Sequence, residues 1–120
     1  VHKVGGFRVQ GREHAAAEQM VRDAKALEQA GADILLLECI PAQLGARIAA
    51  EVHVPVIGIG AGPDTDGQIL VIYDVLDITS GRKPKFSKNF MAGHDSALAA
   101  IKAYAEAVKN KTYPGPEHCF

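Results

Sequence analysis

Two short stretches, ILLLECIP from Ile34 to Pro41 and HVPVIGIGAG from His53 to Gly62, are apolar without alternation. A strand wetted on one face alternates polar and apolar residues, so unbroken runs of this kind belong to strands buried on both faces. That is the habit of parallel sheets covered by helices. The intervening segments supply such helices. From about His14 to Ala30, Met20, Val21, Ala24 and Leu27 recur at helical spacing, Glu and Lys occupy the other faces, and Gly31 stands at the stop. A second helix is predicted over Gln43 to Glu51, with Leu44 and Ile48 one turn apart.

Strands are predicted at Ile34 to Leu37, Val56 to Gly60 and Gln68 to Ile72, and a final helix at about Asp95 to Lys109. Along that helix Leu98, Ile101, Ala105 and Val108 form an apolar stripe, expected to be buried against a barrel or another subunit. No internal repeat interrupts this rhythm of βα units, so the fold class is α/β. The three strands should lie side by side, parallel and in chain order, with helices outside. Three strands cannot close a barrel, and a (βα)8 barrel takes about 250 residues. The chain is therefore expected to be an arc of such a barrel or a small open sheet.

At 120 residues and 48% hydrophobic content, the chain can enclose one core. Its 13 basic and 14 acidic residues are interspersed, which argues against a nucleic-acid or membrane-surface partner. No apolar run approaches the roughly 20 residues that a membrane span needs. A cytoplasmic protein acting on small molecules is the expectation. Cys39 and Cys119 match no metal or redox spacing and should be reduced thiols. His2, His14, His53, His94 and His118 share no helical face, match no metal spacing and are expected at the surface. The opening VHKVGGFRVQGR has no Met, and its glycine breaks read as a loop already under way, which suggests a fragment.

The candidate chemistry lies where the strands end. In α/β folds of either architecture, ligands bind beyond the carboxyl ends of the strands, and Glu38 closes the first strand there. Side chains alternate, so Ile34, Leu36 and Glu38 share one face while Leu35, Leu37 and Cys39 share the other. If the first set faces a barrel axis, Glu38 caps the interior, and partial desolvation would favour a general base. The plainer reading is an ion pair with a Lys or Arg of a neighbouring loop. GIGAG offers backbone N–H groups to a phosphate or else permits close chain packing. The loop GRKPKFSKNF carries Arg82, Lys83, Lys85 and Lys88 with Phe86 and Phe90 among them, and is either solvated or anion-binding.

Taken in order, GGFRVQGR, LLLECIP, PVIGIGAGPDTDGQILV, PKFSKNF and YPGPEHCF closely resemble the C-terminal part of the ketopantoate hydroxymethyltransferase family over nearly the whole chain. The resemblance implies a (βα)8 TIM barrel, of which this chain would supply about the last three βα units and the C-terminal helix. It implies a decameric homo-oligomer that transfers a one-carbon unit from 5,10-methylenetetrahydrofolate to 3-methyl-2-oxobutanoate, giving ketopantoate for pantothenate and coenzyme A synthesis. Glu38 falls on the family's proton acceptor, and Val71 on the substrate-facing wall. Mg2+ and its ligands, with most keto-acid contacts, would belong to the five strands absent from this chain, so the isolated segment should be inactive. Pro116 and Cys119 depart from the family's usual tail. The alternative is a non-catalytic barrel fragment that serves as an oligomer scaffold. Five upstream βα units with paired aspartates at their strand ends would favour the enzyme.

Overall fold

The computed structural model describes residues 9–120, so most of the glycine-broken opening lies outside the described residues. In chain order the elements are α1 (His14–Gln29), β1 (Leu35–Glu38), α2 (Ala42–Glu51), β2 (Val56–Ile59), β3 (Gly67–Gln68), α3 (Ile72–Val75), α4 (Ala97–Lys109) and a 3-10 turn (Pro116–His118). The strands bond in the order β1-β2-β3, all parallel, as the apolar runs predict.

Register explains which face is covered. Leu35 pairs with Val56, and both are buried beneath α1 and α2 among Val21, Ala24, Leu44 and Ile48. Each large side chain fully buried in this layer contributes about 1.5–3 kcal/mol. Leu36 pairs with Ile57 on the opposite face, where Ile34 is 60% exposed and Leu36 55% exposed. The parity expected for β1 is therefore present, and the side carrying Ile34, Leu36 and Glu38 is open in this chain. Leu27, expected in the core, is exposed instead. It borders a groove along β1, which is an edge strand of this sheet, so no neighbouring strand covers it.

Two further expectations need correction, and a third is met only in part. The predicted strand over Gln68 to Ile72 ends at Gln68. The Ile69 N–H still reaches the Gly58 carbonyl at 3.0 Å, but the Val71 carbonyl then accepts from Asp74 and Val75, which starts α3. Asp74, in the first turn of α3, is itself held by the Thr79 hydroxyl at 2.6 Å. Of the α4 stripe, this chain covers Val108, whereas Leu98, Ile101 and Ala105 are exposed. The packed face is Ala100 with Ala103, Tyr104, Ala107 and Val108, set against Val75, Phe90 and Tyr113. Alanines at i, i+3 and i+7 let the helix approach closely, and the rings of Phe90, Tyr104 and Tyr113 meet edge to face. His118 is buried rather than superficial, edge-on to Tyr113, with its Nδ1 accepting the Gly115 N–H at 2.9 Å. Burial holds its pKa below the usual imidazole value. His14, His53 and His94 are exposed as expected. Among the described residues, no helix is long and apolar enough to cross a membrane.

Candidate functional site

Glu38 is the last residue of β1, in register with Ile59, and it projects from the open face at the carboxyl end of the sheet. Its carboxylate makes no hydrogen bond or ion pair among the described residues, so the structural reading as a loop ion pair finds no partner here. The desolvation expected at a barrel axis is likewise not supplied by these residues, since Glu38 is exposed.

What fixes Glu38 is the backbone just beyond it. Cys39 sits at φ 52°, a left-handed conformation that costs a non-glycine residue about 1–3 kcal/mol. It is held there because its N–H bonds to the Ile59 carbonyl at 2.9 Å and its carbonyl accepts the Gln10 N–H at 2.8 Å. The Ile40 N–H reaches the Gly60 carbonyl at 3.0 Å. Pro41 then caps α2, so the chain leaves the sheet abruptly after the carboxylate. The Cys39 side chain is buried. Burial pushes its thiol pKa up, and the Glu38 charge pushes in the same direction, so the thiol is a poor nucleophile. Cys119 is also free.

The glycine turn after β2 is explained by packing. A Cβ on Gly62, at φ 82°, would lie 2.5 Å from the Ala42 Cβ, and one on Gly60, at φ 67°, would lie 2.9 Å from the Phe86 ring. Contacts of this kind leave no need for a phosphate to account for the glycines. Val71 caps α3 and is half exposed. It therefore follows the sheet's third strand instead of belonging to it.

One relation had no signal in the sequence. The basic loop folds back over the residue after Glu38: Phe86 packs with Cys39 and Ile59. A cavity of about 560 Å³ opens there, lined by Cys39, Arg82, Lys83, Lys85, Phe86 and Phe120, among others. Lys83 pairs with Asp77, and Lys85 donates to the Cys119 carbonyl at 2.7 Å with its ammonium 5.3 Å from the Phe120 ring centroid. No local pattern joins Cys39 to residues so distant in the chain. Among the described residues, no group of three His, Cys, Asp or Glu side chains is arranged to hold a metal ion.

A family model described as ketopantoate hydroxymethyltransferase matches residues 1–116. Proteins named 3-methyl-2-oxobutanoate hydroxymethyltransferase are similar over 120 residues, the whole of this chain: 61% identical in Alkalilimnicola ehrlichii, 60% in Marinobacter nauticus and 56% in Chromohalobacter salexigens. The chain spans 43% of the first relative and 46% of the other two, less than half of each. These matches do not support placing the segment in the C-terminal part of the relatives.

Proposed function

Because the chain belongs to the ketopantoate hydroxymethyltransferase family, we propose that it is part of an enzyme moving a one-carbon unit from 5,10-methylenetetrahydrofolate to 3-methyl-2-oxobutanoate. The product is ketopantoate, for pantothenate and coenzyme A synthesis. The observation that carries this reading is Glu38, a carboxylate without a partner among the described residues, ending a parallel strand on the open face of the sheet. Other strands of a (βα)8 barrel, outside this chain, cover that face and dry the site.

In this reading Glu38 takes a proton from C3 of the keto acid, and the enolate so formed attacks the donor's methylene carbon. The C3–H bond is lost and a C3–CH2 bond forms. The methylene carbon breaks from both donor nitrogens and takes its hydroxyl group from water, while the C3 proton, handed on by Glu38, and the remaining proton of water end on those two nitrogens, so that tetrahydrofolate departs. Val71 contributes shape to the pocket wall. Mg2+ enters only through residues outside this chain, and no step here is derived through it. The exposed Leu98, Ile101 and Ala105 give α4 a surface for contacts between copies, which fits a homo-oligomer, a decamer by family likeness. A cytoplasmic setting agrees with the two free cysteines. The matches lend no support to the alternative of a non-catalytic scaffold.

The test is Glu38→Gln in the complete enzyme. Gln keeps the side chain's shape, so folding and keto-acid binding should survive while turnover falls about 10²- to 10⁴-fold. Proton exchange at C3 of 3-methyl-2-oxobutanoate, measured without folate, should fall in parallel. Undiminished exchange in a folded Gln variant would remove Glu38 from the base role.

A further inference from the structure

We propose that the cavity between the basic loop, Cys39 and Phe120 binds the carboxylate-bearing aromatic end of the one-carbon donor. This rests on the transfer reaction proposed above and assigns one of its two substrates to a place. Three cations border the cavity, and they differ in how far their charge is met. Lys83 has the Asp77 carboxylate. Lys85 meets only neutral groups among the described residues, the Cys119 carbonyl and the Phe120 ring. Arg82 is exposed and makes no hydrogen bond or ion pair among the described residues. Positive charge is therefore left over at the rim, where a carboxylate can take it up, the Arg82 fork in two-pronged fashion.

The walls narrow the class of anion. Phe86, Phe120, Pro84 and Val9 make the interior mostly apolar, and a small hydrated inorganic ion gains nothing by entering it. A flat organic body does gain, by lying against aromatic and aliphatic surface. Size excludes the other substrate as the sole occupant. About 560 Å³ falls within the range of about 300–1,000 Å³ typical of sites for drug-sized ligands, well beyond what a five-carbon keto acid fills. Position adds to this: Cys39, in the cavity wall, is the residue directly after Glu38, so the cavity opens beside the end of β1.

The experiment uses the complete enzyme with N-(4-aminobenzoyl)glutamate as probe. The probe should compete with 5,10-methylenetetrahydrofolate, while 4-aminobenzamide, which lacks the carboxylates, and inorganic phosphate at matched ionic strength should not. Arg82→Gln should raise the donor KM and the probe's inhibition constant about tenfold, the size expected for one charge-assisted hydrogen bond. The keto-acid KM should stay within about twofold. Unchanged donor KM and inhibition constant in Arg82→Gln would overturn the assignment, as would phosphate competing as well as the probe. C3 exchange by the unaltered enzyme needs no donor and separates the two readings. If exchange is present and the Arg82 result is flat, only the cavity assignment falls; if exchange is absent, the reaction itself has been misread.

Discussion

Gly45 shows how strongly a single position can oppose its own helix propensity. It lies inside α2, where alanine would ordinarily stabilise a helix by about 1 kcal/mol over glycine. A Cβ there would overlap the carbonyl oxygen of Ala61, a residue with no exposed surface in the turn after β2. The obstacle is backbone, pinned by the Gly60 and Gly62 conformations, and cannot swing aside. Overpacking of this type costs about 1–3 kcal/mol, which exceeds the propensity gain. Gly45→Ala in the complete protein should therefore lower the midpoint of thermal or urea unfolding. A raised midpoint would show that α2 can slide away from the turn. The same contact explains what the GIGAG string could not settle alone: a glycine run announces tightness, but only the facing α2 residues Ala42 and Gly45 say that helix, not phosphate, fills the space.

Between elements, carboxylates rather than apolar residues set the pH response. Glu28, near the end of α1, accepts the backbone N–H of His53 and that of Val54 at the entry to β2, and these bonds lower its pKa, His53 most. Glu18 and Glu51 are lowered as well, Glu18 chiefly by Arg47 and Glu51 by Lys25 ahead of Arg47, which joins α1 to α2. For a carboxylate lowered in the folded state, the stabilisation is present above the unfolded value, near 4.5, and is lost as pH falls through the folded one. Unfolding followed between pH 6 and pH 3 should show stability declining below about 4.5. Glu28→Gln should flatten part of that slope; an unaltered slope would mean that the bonds to His53 and Val54 carry none of it. Such elements differ in how legible they are. β1, β2, α1 and α2 could be read because their burial comes from large branched residues at regular spacing. The face of α4 could not, because three of its packed residues are Ala100, Ala103 and Ala107, whose contribution is closeness of approach rather than area. QILVI looked like a strand throughout, yet the turn bonds of Val71 and the Asp74–Thr79 bond, both invisible to hydropathy, bend it into α3. The place of Glu38 at the end of β1, on the open face, was legible from parity, whereas the Arg82 cavity was not, because it exists only once the loop has folded back on Cys39.

For the molecule as a whole, the dominant fact is a sheet covered on one side. Ile34, Leu36, Ile69 and Val71 present apolar surface that a stable protein covers, and the relatives are more than twice as long as this chain. Leu36→Lys should therefore act differently in two settings. In the complete enzyme it would place a charge inside the barrel and cost about 3 kcal/mol or more, seen as lost thermal stability or failure to assemble. In the isolated segment the same change should move the unfolding midpoint little, since the side chain already meets water. Equal losses in both would mean that the exposed face is not what the rest of the barrel covers. The strands at the two margins of the sheet add a further consequence. β1 has four residues and β3 has two, each with backbone groups that no neighbour in this sheet satisfies. A chain that has made this sheet alone offers two templates to any passing strand. Shortness is what keeps those templates poor: a two-residue margin gives an intruder too few rungs to hold. The brevity of β3, where apolar composition called for a full strand, thus limits edge-to-edge pairing at that margin of the sheet.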